Sequence, residues 1–116
     1  MEALTLPWPP SVNHYYRRVG ARTLISREGR RYRSRICAIL KDRITTVFEG
    51  RVRMDIDAHP PDRRRRDLDN ITKALLDALE HAGVYEDDSQ IDRLQIERCS
   101  VVPRGQVIVR ISEAED

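Results

Sequence analysis

The chain has 116 residues, a net charge of +2 and 34% charged residues, enough for one domain over residues 1–116 with a single modest core, and too few for two. Its 21 basic residues are 19 arginines plus Lys41 and Lys73, a bias that favours planar, bidentate phosphate contacts over general solubility and makes nucleic acid the first partner to consider. No stretch of about eighteen apolar residues and no basic-then-apolar leader occurs, so neither a membrane span nor a secretory signal is expected, and the cytoplasm is the expected compartment. Cys37 and Cys99 have no CxxC spacing and read as reduced, mostly buried thiols.

The near-neutral total hides a division. Arg17 to Arg43 holds ten basic residues against two acidic ones, whereas Asp55 to Asp92 holds eleven acidic residues. A short strand at Ala3 to Leu6 runs into Pro7-Trp8-Pro9-Pro10-Ser11-Val12-Asn13, an ordered extended loop in which Trp8 is expected to anchor the loop on the core. Tyr15 and Tyr16 beside Arg17 and Arg18 suit either a nucleic-acid surface, by stacking and phosphate contact, or an ordinary strand. Ser26 is an N-cap with Glu28 in the first turn of a helix that the periodicity extends to about Val47. Its stripe of Tyr32, Ile36, Ile39, Leu40, Ile44 and Val47 leaves Arg30, Arg31, Arg33 and Arg35 largely off the buried face, a basic surface suited to phosphate.

Val52, Met54, Ile56 and Ala58 alternate with Arg53, Asp55 and Asp57, the period of a half-buried strand. A second helix spans Asp67 to Gly83, beginning at Asp67 or Asp69 and stopped by Gly83 at C′. An acidic loop, Val84 to Ser89, leads to a strand around Leu94 and Ile96, and the turn Pro103-Arg104-Gly105 leads to a final strand, Gln106 to Ile111, before an acidic tail that should fray. Strand, helix, strand implies a parallel crossover, and the last two strands are close enough in sequence to pair as a hairpin. The expected fold is α+β, a mixed β-sheet of about four strands carrying two α-helices.

The stretch with most chemistry is Pro61-Asp62-Arg63-Arg64-Arg65-Arg66-Asp67-Leu68-Asp69-Asn70, with Lys73 one turn further on. Asp67 and Asp69, spaced i, i+2 where an extended segment enters a helix, project to one side and can face one ion. Mg²⁺, with Mn²⁺ as a substitute, takes one or two carboxylates and keeps its other positions for water and phosphate oxygens. A third carboxylate comes from the acidic loop, Asp88 first and Asp87 as the fallback. Lys73, on the helix face of Asp69, can neutralise charge developing on a phosphate; its other reading is a surface ion pair worth about 0.3–0.5 kcal/mol. A metal in such a site lowers the pKa of bound water for phosphodiester hydrolysis. Arg63, Arg64, Arg65 and Arg66 would hold the phosphate backbone, or form solvated pairs with Asp62 and Asp67. His14, His59 and His81 share no metal-ligand spacing.

Leu6-Pro7-Trp8-Pro9-Pro10-Ser11 with Asn13, Tyr15, Tyr16 and Arg17, then the Pro61 to Asn70 stretch with Lys73, and later Asp77-Ala78-Leu79, Ala82-Gly83 and Asp87-Asp88, follow one another as in the RusA family of Holliday junction resolvases of bacteria and their prophages. The chain resembles that family over nearly its whole length. The resemblance implies a homodimeric, Mg²⁺-dependent endonuclease that resolves four-way DNA junctions by paired symmetric nicks. By motif position it assigns Asp67, Asp69 and Asp88 as catalytic aspartates and Lys73 as the essential lysine. The rival expectations are a nonenzymatic nucleic-acid-binding module and a metal-dependent nuclease for flaps or RNA.

Overall fold

A computed structural model describes residues 3–114. In chain order its elements are β1 (Leu4–Pro7), α1 (Val12–Tyr15), β2 (Tyr16–Val19), β3 (Arg22–Ile25), α2 (Arg27–Leu40), β4 (Val52–His59), α3 (Asp69–His81), β5 (Ile91–Arg98) and β6 (Gln106–Glu113), with a 3₁₀ turn at Asp88–Gln90. The fold is α+β: a four-stranded mixed sheet ordered β1-β6-β4-β5, a separate β2-β3 hairpin, and three helices, the first a single turn. No helix among the described residues is long and apolar enough to cross a membrane.

The alternation of β4 decides the layering. Val52, Met54, Ile56 and Ala58 are all buried, while Arg53, Asp55 and Asp57 point to the opposite face. The buried row meets Val107, Val109 and Ile111 of β6, Ile36 and Leu40 of α2, and Leu75, Ala78 and Leu79 of α3 in one core cluster. Both long helices therefore lie on one face of the sheet. The other face carries Arg53, Asp55, Asp57, Arg93, Gln95 and Glu97.

Local signals explain where the helices begin and end. The Ser26 hydroxyl accepts the Gly29 N–H at 2.9 Å, capping α2 as expected. Gly83, at φ 84°, ends α3 in the left-handed region. The helix expected to reach Val47 instead ends at Leu40, followed by a turn in which Ile44 N–H returns to Leu40 O. Its apolar period continues, but Ile44-Thr45-Thr46-Val47 is four β-branched residues in a row, which resist helix; Ile44 still packs on the core, and Val47 is exposed.

The parallel β4–β5 crossover through α3 is present. The expected hairpin between the last two strands is not. β6 pairs antiparallel with β4 on the side away from β5, so β4 lies between them. The connection follows the end of β4, with Cys99 N–H bonded to Ala58 O and Val102 N–H to Pro60 O, then turns through Arg104 and Gly105, both at φ 72°. The short connection suggested a hairpin, but the apolar β4 needs a hydrogen-bonding neighbour on both edges. β6 continues to Glu113; the last two residues of the acidic tail, and any fraying of them, lie outside the described residues.

Gly29 carries a tight helix contact: a Cβ there would lie 2.7 Å from Tyr15 O and 2.8 Å from Ile25 Cγ2. Gly29→Ala, which would favour an isolated helix by up to about 1 kcal/mol, is expected to destabilise this protein by about 1–3 kcal/mol through overpacking, seen as a lower urea midpoint.

Candidate active site

The arginine run separates in space into structural and uncommitted members. Arg66 Nη1 donates to Asp62 Oδ1 at 2.6 Å, and Arg64 N–H donates to the same oxygen at 2.9 Å, an Asx-type turn that shapes the loop. Arg98 of β5 donates to Arg66 O at 2.6 Å and ties the loop to the sheet edge. The Arg66 guanidinium is therefore largely occupied by Asp62, one of the pairings the run allowed. Arg63 and Arg65 are exposed and have no carboxylate within ion-pair distance among the described residues. Arg64 is 84% exposed with only a 3.7 Å approach to Asp62. Asp62 has its pKa held down at about 2, first by the Arg66 side chain and then by the Arg64 N–H.

Immediately after this loop, Asp67 O accepts the Asn70 N–H and Asp69 opens α3. Both carboxylates belong to exposed residues, as does Lys73. Asp69, Lys73, Leu76 and Glu80, spaced i, i+4, i+7 and i+11, form one stripe along α3. Asp88 is fastened to the far half of that stripe. Tyr85 Oη lies 2.8 Å from both Asp88 Oδ1 and Leu76 O, and the Asp88 N–H donates to Glu80 Oε1 at 3.0 Å. Burial, and then the Asp88 carboxylate, raise the pKa of Tyr85, so it remains a phenol able to donate. Seven residues at 1.5 Å each place Leu76 about 10 Å along the axis from Asp69.

The neighbouring acid has another role. Asp87 caps the 3₁₀ turn by accepting the Ser89 N–H at 2.9 Å, and its pKa is lowered first by the Ser89 side chain and then by that N–H. Asp87 is thus engaged with its own backbone, whereas Asp88 has one oxygen held by Tyr85. Gln90, unremarked in the sequence, clamps the loop. Its side-chain oxygen accepts the Glu86 and Asp87 N–H groups and its nitrogen donates to Phe48 O and Gly50 O, all at 2.8–2.9 Å. The sequence signal was the Asp87-x-x-Gln90 capping-box spacing, which the structure forms.

Asp67, Asp69 and Asp88 are not drawn into one compact cluster. Among the described residues, the three-membered group with ligand atoms all within 4.8 Å of one another is Asp57, Glu97 and Cys99, on the helix-free face of the sheet. Cys99 has its pKa raised by burial and then by Asp57. Asp57 is also ion-paired with Arg110 at 2.9 Å. Parallel register sets Asp57 beside Glu97, a juxtaposition invisible without strand pairing.

A cleft of about 380 Å³ joins the two distant motifs, with Trp8, Pro10 and Ser11 on one wall and Arg65, Asp67 and Asn70 on the other. Trp8 packs against the core, as its anchor role required. The two tyrosines part company. Tyr15 is fully buried, its hydroxyl bonded to Asp77, so it braces α1 against α3 and is not a stacking surface. Burial and then Asp77 raise its pKa. Tyr16 is half-buried and Arg17 exposed. On α2, Arg30 donates to Ile25 O at 2.8 Å, while Arg31 is exposed. Arg33, expected off the buried face, is half-buried between α2 and α3 beside Asp77 and His81.

A family model described as endodeoxyribonuclease RusA matches residues 7–112. Among curated relatives, the crossover junction endodeoxyribonuclease RusA of Enterobacteria phage HK97 is 45% identical over 111 residues, covering 95% of this chain and 92% of that protein. The proteins of the same name from Escherichia coli K12 and Enterobacteria phage 82 are 42% and 43% identical, covering 96% and 95% of this chain and 93% and 92% of their own lengths.

Two outcomes check this geometry. The Asp62–Arg66 pair lowers a carboxylate pKa, so its stabilisation is present above the unfolded value near 3.9 and is lost as pH falls through about 2; NMR titration of Asp62 should show that value, and Arg66→Gln should return it toward the ordinary one. Gln90→Leu strands two carbonyls and two N–H groups, with an expected loss of about 2–4 kcal/mol and faster hydrogen exchange at Glu86 and Asp87.

Proposed function

Because the chain belongs to the RusA endodeoxyribonuclease family, we propose that it is a crossover junction endodeoxyribonuclease, hydrolysing phosphodiester bonds of four-way DNA junctions in recombination and repair by paired symmetric nicks. The reading is carried by one observation: the Trp8–Ser11 segment and Arg65, Arg66, Asp67 and Asn70, far apart in sequence, line one cleft at the start of α3, where the exposed Arg65 lies beside the exposed Asp67.

The donor set fits a hard divalent cation. Asp67 and Asp69 are exposed oxygen donors, and Asp88 has an oxygen beyond the one held by Tyr85, the kind of incomplete carboxylate set Mg²⁺ prefers and Mn²⁺ accepts. We assign Asp67, Asp69 and Asp88 to the metal, which when bound supplies a Lewis acid and an activated water. Lys73, exposed one turn from Asp69, holds its ammonium toward the reacting phosphate and neutralises charge gained in the transition state. Arg63, Arg64 and Arg65 fix the backbone in register, with Arg17, Arg31 and the edge of Tyr16 extending the surface; these contacts carry affinity without sequence information and weaken with salt.

A homodimer is the assembly suited to the reaction, since two equivalent strands are cut and a two-fold enzyme matches a two-fold substrate. Residues 1–116 act as one nuclease domain, and the cytoplasm is its site of action.

Asp67→Asn is expected to lower Mg²⁺-supported cleavage of a synthetic four-way junction by more than about 100-fold while leaving binding in metal-free buffer largely intact. Lys73→Ala should cost about 10²–10³ in rate. Wild-type cutting by Asp67→Asn would sink the site assignment. Binding without product at any Mg²⁺ concentration would favour a binding module, and preferential cutting of flaps or RNA would favour another nuclease.

A further inference from the structure

The β2–β3 hairpin is the one element that neither the core nor the proposed metal site uses. It is fixed at its base, where Tyr16 pairs with Ile25 and Ser26 N–H bonds to Tyr15 O at 2.8 Å. From Arg17 to Leu24 every residue is exposed. Gly20 at φ 59°, followed by Ala21 without a positive φ, has the pattern of a type II′ turn, whose twist suits a two-residue hairpin loop. The tip is unobstructed, since a Cβ on Gly20 would meet nothing within 4 Å. A two-stranded ribbon of this size is marginal by itself, and this one is held only at its base.

Its chemistry selects the occupant. Arg17 pairs with Leu24, and Val19 with Arg22, so these four side chains share one face in a checkerboard with Val19 and Leu24 on a diagonal, within side-chain reach. Val19 is 42% and Leu24 37% exposed. Beside them on that face stand Arg17 and Arg22, with Arg18 on the other face opposite Thr23, and there is no acidic residue between Tyr15 and Arg27. None of the three arginines has an ion-pair partner among the described residues. A second copy of this all-cationic ribbon would be repelled, whereas a polyanion with an accessible apolar interior complements it.

We infer that the β2–β3 hairpin is a wedge for the centre of branched DNA, with Val19 and Leu24 set against the open faces of base pairs at the crossover and Arg17, Arg18 and Arg22 on the converging phosphates. Apolar side chains inserted between base steps must overcome stacking in a continuous duplex. At a branch point the stack is already interrupted, so the same contact is available there at lower cost. Arginine contacts alone bind duplex and junction through the same phosphates; the apolar pair is what distinguishes them. This rests on the junction reading above and assigns that reading's selectivity to particular side chains.

The test uses the full-length protein in EDTA, with a four-way junction carrying 2-aminopurine beside the crossover and a linear duplex carrying the same reporter. Wild-type binding should raise the junction's fluorescence and leave the duplex unchanged. Val19→Ser/Leu24→Ser should remove at least half of that rise and reduce the junction-over-duplex affinity ratio about tenfold, with duplex affinity and melting midpoint unchanged. Arg17→Gln/Arg22→Gln should weaken both substrates together and reduce the salt slope by about 2. If the serine variant melts early, Val19→Thr, which keeps a β-branched strand residue, takes its place with the same expected direction. A wild-type fluorescence rise and affinity ratio in a folded variant would overturn the wedge, as would a changed oligomeric mass in sedimentation, which would make the pair a subunit contact. Wild-type protein that binds junction and duplex equally would instead overturn the junction reading, independently of any variant.

Discussion

The structure depends on the pairing of β4 along both edges. A strand whose alternate residues are all buried has no water to satisfy its backbone, so each edge must find a partner. β6 fills one edge antiparallel and β5 the other in parallel. A parallel neighbour requires a crossover, and the crossover is α3 with the arginine loop before it and the acidic loop after it. The arginine loop, the acidic loop and Lys73 are thus brought to the margins of one helix by a hydrogen-bonding requirement of β4, a half-buried strand that contributes no residue to the proposed site.

Within that frame, charge is kept available by committing some of it elsewhere. Asp62 uses Arg66 and the Arg64 N–H to shape the loop, which leaves Arg63 and Arg65 without an ion-pair partner among the described residues. Asp87 caps the 3₁₀ turn, and Gln90 satisfies the loop's N–H groups and two carbonyls of the segment before β4. Asp88 is then positioned by a buried phenol and by Glu80, not by a cation. Ion pairs between exposed groups contribute little stability, so the fold gives up little by leaving these charges unpaired, and unpaired charges are what a phosphate backbone can use.

Much of this was legible in the residues because it followed a period or a cap. The alternation of β4, the Ser26 cap, Gly83 at C′ and the parallel crossover all depend on neighbours within a few positions. What was not legible depended on partners chosen at a distance. The place of β6 turned on which edge of β4 was vacant, information absent from the Cys99–Gly105 connection. Tyr15 and Tyr16 look alike in sequence, and only Asp77 on a helix sixty residues later buries the first. The β2–β3 hairpin was missed because its strands are four residues long and exposed except at their base, Tyr16 and Ile25, without the buried alternation that announces a strand. In the site, the positions of Asp67, Asp69 and Lys73 at the start of a helix could be read locally; the roles of Gln90 and Tyr85 depended on atoms of Phe48, Gly50 and Leu76.

Compactness alone does not identify a phosphodiester-cleaving site. Asp57, Glu97 and Cys99 form the tighter group, yet Arg110 already neutralises Asp57, and parallel strand pairing is enough to account for their proximity. A thiol donor also suits softer metals than Mg²⁺. Asp67 and Asp69 are more open, but they adjoin exposed arginines with no ion-pair partner among the described residues and a cleft walled by the proline-rich segment. Hydrolysis of DNA requires a place for the anionic backbone as much as a place for the cation. On the proposed assignment, a divalent ion and phosphate oxygens would offset the repulsion among these carboxylates, and the exposed arginines beside them would hold the backbone.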